Sequence, residues 1–250
     1  MVWSIVTIAA GVYAGLCLIL LFFQRSFIYM PTPLTAAHAA AAVLEVPGAM
    51  LRISSRPHDG PRAVLYFGGN AEDVAFTLPE LAAVFPDRAI YCLHYRGYSG
   101  SSGRPSERAL RSDATAVFEN VRQKHDDIVV VGRSLGSSLA IQLAAEQPVS
   151  RLVLIAPFES ILTIAKRTVP FLPVTLLLRD TWQSWKYAPG VTCPTLVIAG
   201  SHDELVPMGD TRKLMDAFSP GVARLRVIDG ADHNSVSDSV EFWQALVNGS

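Results

Sequence analysis

Residues 129–140 read VVVGRSLGSSLA, and no other stretch narrows the possible folds as much. A run of mostly β-branched apolar residues, 128–131, stops at Gly132; Ser134 and Gly136 follow, and helix formers run from 139 to 146. G-x-S-x-G between a strand and a helix is the pattern of a nucleophile elbow. The chain turns so sharply there that the serine backbone is strained and side chains at 132 and 136 would collide with the neighbouring strand or helix. The turn lifts the Ser134 hydroxyl above a sheet and sets it at a helix N-terminus, where the dipole favours developing negative charge. The competing role for this serine is an ordinary helix N-cap.

The chain around the elbow alternates strand and helix signals. Strands are expected at 50–54, 63–67, 89–93, 128–131, 151–156, 195–199 and 223–228, and helices at 71–85, 106–124 and 235–247. Such alternation predicts an α/β fold, a mostly parallel, doubly wound sheet with helices on both faces. A length of 250 residues, 50% of them hydrophobic, suits one domain with a large core. A net charge of -1 gives no sign of a nucleic-acid or polyanionic partner. The 3 cysteines, Cys17, Cys92 and Cys193, lie in apolar runs and match no metal spacing, so buried thiols are expected.

Residues 5–23 are almost wholly apolar and uncharged. As a helix they reach about 28 Å, close to a bilayer core of about 30 Å. Trp3 at one end and Arg25 and Tyr29 at the other suit interfacial anchors, and no Lys or Arg precedes the segment as in a secretory signal. A single-pass N-terminal membrane anchor is expected, and Arg25 favours a cytoplasmic catalytic domain. The expected organisation is an anchor at 1–25, a connector at 26–48 with a short Ala-rich helix, and a catalytic domain at 49–250 carrying a short lid at 158–193. The catalytic domain is expected to fold without the anchor.

A serine hydroxyl needs a base within hydrogen-bond reach, and the base needs a carboxylate to fix its tautomer. In a sheet built around such an elbow the order is Ser, acid, His, the last two on loops after late strands. Asp203 follows strand 195–199 and His233 follows strand 223–228, so both fit in order and place. Glu159, after strand 151–156, is the alternative acid. Asp232 adjoins His233, but adjacent side chains diverge, so it is expected to hold the loop. His94 ends a strand but precedes the serine. For the oxyanion, one backbone N–H is expected from Leu135 and the other from Asn70, in the loop Gly68-Gly69-Asn70.

Together these stretches resemble the α/β-hydrolase superfamily, and within it the membrane-anchored serine hydrolases with a small lid, a group that includes protein-depalmitoylating members. The resemblance runs through QRSFIYMP, LYFGGNAED, HYRGYSGSSGRPSE, GRSLGSSLA, APFES, FLPVTLLLRD, CPTLVIAGSHDELVP and GADHNS. It implies Ser134, Asp203 and His233 as triad and Asn70 and Leu135 as oxyanion hole. The chain departs from the group at Gly68, usually histidine; at His94, usually aspartate; and at Ser137, usually glycine. The first departure bears on support of the oxyanion loop.

The expected activity is hydrolysis of carboxylic esters or thioesters through an acyl-enzyme, with amide cleavage or a catalytically silent anchored binding module as alternatives. The triad chemistry calls for no cofactor or metal. Expected partners are a small or lipid-linked acyl substrate and the bilayer, with no obligatory protein partner. Phe171, Leu172, Val174, Leu176, Leu177 and Leu178 give the lid an apolar patch: the buried face of lid helices, an acyl groove, or a membrane contact.

Overall fold

The computed structural model describes residues 2–38 and 40–248. Eight strands form one sheet: β1 (Ala42–Val46), β2 (Ala49–Arg56), β3 (Arg62–Phe67), β4 (Ala89–His94), β5 (Asp127–Arg133), β6 (Arg151–Ile155), β7 (Thr195–Gly200) and β8 (Ala223–Ile228). Their order is β1-β2-β4-β3-β5-β6-β7-β8. β2 runs antiparallel to both β1 and β4, and the other pairs are parallel.

Parallel strands covered on both faces read as unbroken apolar runs, which is why β3, β5 and β7 show no polar alternation. Ala63, Leu65 and Phe67 face one core, with α3 (Glu107–Arg122) and α4 (Leu135–Glu146) packed on it. Val64 and Tyr66 face the other, with α2 (Val74–Val84) and α8 (Val240–Asn248). The ends of the parallel strands β5, β7 and β8, with β6 between the first two, therefore fall on the one edge where Ser134, Asp203 and His233 lie.

Several boundaries differ from the sequence reading. The expected 26–48 connector contains β1, the edge strand of the sheet, so the catalytic fold begins before residue 49. Within its Ala-rich part, Ala36–His38 form a short 3-10 turn. The expected helix at 235–247 breaks into a 3-10 turn and α8. Ser106 caps α3, accepting from the Ala109 N–H. Cys92 and Cys193 are buried, and Cys17 is half-buried on the first helix.

That helix, α1 (Val2–Ile28), is long and apolar enough to cross a membrane, with an 18-residue window of mean hydropathy 2.5 and none of that window buried. It is not an independent appendage. Gln24, only 2% exposed, donates to the Leu177 carbonyl at 3.0 Å and accepts from the Arg179 N–H at 2.6 Å. Arg25 pairs with Asp180 at 3.0 Å, and the Tyr29 hydroxyl donates to the same carboxylate at 2.9 Å. Residues 24 and 25 of the expected anchor segment therefore bond directly to the lid of the catalytic domain. The polar groups that terminate α1 are the ones that fasten the lid.

Candidate active site

The elbow forms as the sequence requires. Ser134 stands at φ 48° and ψ -111°, a region costly for a residue with a side chain. Its N–H donates to the Ile155 carbonyl at 2.8 Å, and its own carbonyl accepts from the Ser137 N–H at 2.9 Å. A Cβ at Gly132 would sit 2.5 Å from the Gly136 carbonyl oxygen, and one at Gly136 would overlap the Phe67 carbonyl. The side chain makes no capping bond, which removes the plain N-cap reading.

Instead the Ser134 hydroxyl lies 2.9 Å from Nε2 of His233. Nδ1 of His233 lies 2.7 Å from Oδ2 of Asp203, which is buried. The other Asp203 oxygen accepts from the Val206 N–H at 2.7 Å, so the carboxylate is fixed from both sides. An Nδ1 that donates to Asp203 leaves Nε2 unprotonated and free to accept from serine. Glu159 is not on this line; its carboxylate accepts from Thr163 at 3.4 Å. Asp232 takes the N–H groups of Asn234 and Ser235 at 2.9 and 2.8 Å and so ties the His233 loop; these bonds hold its carboxyl below the usual range.

Asn70 and Leu135 border the same cavity as Ser134. The Asn70 side chain is committed elsewhere: Nδ2 donates to the Ile28 carbonyl at 2.6 Å, and Oδ1 accepts from the Met30 N–H at 3.0 Å and the Tyr98 hydroxyl at 2.8 Å. The loop 68–70 is gripped by Glu72, whose carboxylate accepts from the Gly69 N–H at 2.6 Å, the Tyr66 hydroxyl at 2.7 Å and the Thr77 hydroxyl at 2.7 Å. Tyr95 donates to the Gly68 carbonyl at 2.7 Å. A side chain at Gly68 would overlap Val74. Support for this loop therefore comes from Glu72, which the sequence reading missed, although a carboxylate two residues beyond Gly-Gly-Asn was the visible sign.

Ser134 lies at the junction of two cavities. One, about 580 Å³, is apolar and runs between α1 and the lid. The other, about 190 Å³, is polar and is bordered by Glu72, Arg133, His233 and Asn234.

The Alpha/beta hydrolase family profile matches residues 58–188, just over half of the chain. The chain belongs to the alpha/beta hydrolase family. The uncharacterized protein Rv2307c of Mycobacterium tuberculosis is 34% identical over 249 aligned residues, covering 92% of this chain and 87% of that one. Among solved structures, Est1E from Butyrivibrio proteoclasticus with bound ferulic acid superposes with a TM-score of 0.68 at 15% identity, covering 84% of this chain and 97% of Est1E. The Pyrococcus furiosus esterase Pf2001 superposes with a TM-score of 0.65 at 16% identity, covering 88% and 94%. At these identities the two structures speak to the fold alone.

One further cluster in this alpha/beta hydrolase lies apart from the site. Ligating atoms of His38, Asp73 and His94 fall within 4.8 Å of one another. Each is already engaged: His38 Nδ1 accepts from the Thr35 N–H at 2.9 Å, His38 Nε2 meets Asp73 at 2.8 Å, and His94 Nε2 meets the Ser54 hydroxyl at 2.8 Å. The arrangement ties the 3-10 turn to the start of α2. His94 is thus bonded to Ser54 and stacked edge-on with His38 rather than joined to the Ser134–His233–Asp203 line.

Proposed function

We propose that this protein is a serine hydrolase, held at a membrane by α1, that cleaves carboxylic esters or thioesters through an acyl-enzyme. The observation that carries the reading is the unbroken hydrogen-bonded line from Ser134 through His233 to Asp203 at the elbow. Ser134 Oγ attacks the acyl carbonyl while its proton passes to His233 Nε2, and Asp203 stabilises the imidazolium through Nδ1–H. The carbonyl oxygen becomes an oxyanion that accepts from the N–H groups of Asn70 and Leu135. The C–O or C–S bond then breaks, and His233 gives its proton to the departing oxygen or sulfur. Water attacks the acyl-serine by the same route in reverse, releasing the acid and restoring Ser134.

The two cavities support a division of the substrate. The apolar one suits the acyl chain. The polar one, which His233 borders, suits the leaving group that must receive its proton. Arg133, whose Nη2 donates to the Asn234 carbonyl at 3.0 Å, brings a positive charge to that side. The Arg25 charge beside the lid keeps the expectation of a cytoplasmic catalytic domain.

The test is labelling of the full chain in membranes by a fluorophosphonate. Labelling of the native protein and its loss in Ser134→Ala are expected, with residual turnover lower by on the order of a million-fold. Labelling that persists in the variant would refute the assignment.

A further inference from the structure

The apolar cavity at Ser134 has α1 as one wall. Leu16, Ile19, Leu20, Phe27 and Ile28 all border it and share one face of the helix. The opposite wall is α5 (Ile161–Thr168) in the lid, where Ile161, Ile164, Ala165 and Thr168 recur at helical spacing and border the same cavity. No residue of α5 is fully buried, although the helix is strongly two-sided. Ile161 and Ile164 pack in part against the hydrophobic core and in part face the cavity. The only polar α1 side chain at the cavity is Gln24, and its amide is turned onto the lid backbone.

The lid also follows α1 toward its N-terminus. Tyr13 donates to the Phe171 carbonyl at 3.1 Å. From Tyr13 to Phe23 the helix rises about 15 Å, half of a hydrocarbon core of about 30 Å. Phe171 and Leu176 on the lid are 61% and 84% exposed, as are the outward residues of α1 such as Leu18 and Phe22, at 53% and 68%. Apolar side chains exposed on the lid beside a helix apolar all round need an apolar solvent.

We infer that α1 and the lid together form a channel for a long acyl chain, which reaches Ser134 sideways from the bilayer leaflet nearest the catalytic domain. The membrane helix is thereby part of the substrate site, and Leu16, Ile19 and Leu20 set which chains fit. The distance supports this: from Ile28, bonded through its carbonyl to Asn70 beside the serine, back to Leu16 the helix spans about 18 Å, the reach of a long-chain acyl group. A cavity of about 580 Å³ lies in the range of ordinary ligand pockets of about 300–1,000 Å³. The inference rests on Ser134 being the nucleophile only for its kinetic consequence.

Two measurements on the full chain in phospholipid vesicles test it. The first is the ratio of kcat/KM for a hexadecanoyl over a butanoyl nitrophenyl ester. Ile19→Trp and Leu20→Trp fill the channel and should lower that ratio tenfold or more, whereas Leu18→Trp, on the outer face, should leave it as in the native protein. An unchanged ratio in the channel variants, or an equal fall in Leu18→Trp, overturns the channel. The second needs no turnover. In Ser134→Ala, a hexadecanoic acid carrying a diazirine near its far end is irradiated and the adducts are mapped. Adducts on the inner stripe of α5, at Ile161 or Ile164, are expected, and they should fall severalfold when Ile19→Trp is added. Adducts confined to the outer face of α1 overturn the proposal. Adducts on α5 from a native chain that hydrolyses neither ester would instead sink the hydrolase reading and leave the channel standing.

Discussion

The Arg25 guanidinium on α1 reaches Asp180 in the lid, at 3.0 Å, and the Tyr29 hydroxyl meets the same carboxylate at 2.9 Å. Asp180 is 4% exposed and Tyr29 is 3% exposed, so the contact is a buried anchor for the lid, although Arg25 itself is half in solvent. Arg25 and Tyr29 are therefore lid fasteners as well as candidates for the membrane interface.

Removing the carboxylate should loosen the lid. Asp180→Ala leaves the buried Tyr29 hydroxyl without an acceptor, a loss of about 1–3 kcal/mol. For a domain of this size each 1 kcal/mol lowers Tm by roughly 2–4 °C. A thermal melt of the full chain should show that fall, with faster proteolysis within residues 158–193. A melt identical to the native one would mean that Asp180 is no anchor.

The acid can be ranked by substitution. Asp203→Asn keeps the shape but favours the wrong His233 tautomer, so turnover should fall by roughly 10⁴-fold. Glu159→Gln touches only a long bond to Thr163 and should cost far less. The reverse order in a butanoyl ester assay would move the acid to Glu159.

Much of this arrangement was legible because local rules and the fold agreed. The strand, glycine and helix signals around Ser134 are short-range, and so are the loops that carry Asp203 and His233. What escaped was set by distant partners. β1 has the polar Glu45 and follows an Ala-rich stretch, and it becomes a strand only because β2 pairs with it. The role of Glu72 depends on Tyr66 and Thr77, which no spacing rule links to the oxyanion loop. The hydrophobicity of α1 announced a helix long and apolar enough to span a membrane, but its Gln24 gave no hint that the partners would be the lid backbone at Leu177 and Arg179.

Stability should depend on pH through His94. Burial first, then the His38 and Arg52 charges, pull its pKa down to about 4, against the opposing effect of Asp73. The unfolded chain binds that proton near about 6.5. Above that pH both states are neutral and His94 adds no slope. Between about 6.5 and about 4 only the unfolded state is protonated, so stability is lost as pH falls, by up to about 1.4 kcal/mol per pH unit. Urea midpoints from pH 7 to 4.5 should fall less steeply in His94→Gln. Parallel curves would remove His94 as the cause.

The last prediction separates holding the oxyanion loop from making the oxyanion bond. Glu72 touches no reacting atom; it fixes Gly69 and, through the backbone, the neighbouring Asn70 N–H. In Glu72→Ala the Gly69 tether is gone and the buried Tyr66 hydroxyl loses its acceptor, at about 1–3 kcal/mol of stability. The N–H then wanders from the position the oxyanion occupies. An interaction made only in the transition state lowers kcat and leaves KM nearly unchanged. Losing an oxyanion donor outright costs about 10²–10³ in kcat, so a loosened donor should cost roughly tenfold or more, but less than that ceiling. Glu72→Gln keeps one oxygen for the Gly69 N–H, while both hydroxyls can rotate to meet the amide, and it should recover most of the rate. Turnover is counted per site that reacts with fluorophosphonate, so a smaller folded fraction does not imitate the effect. A fall in KM-dependent binding alone, or no rescue by glutamine, would show that Glu72 serves the fold and not the positioning of Asn70.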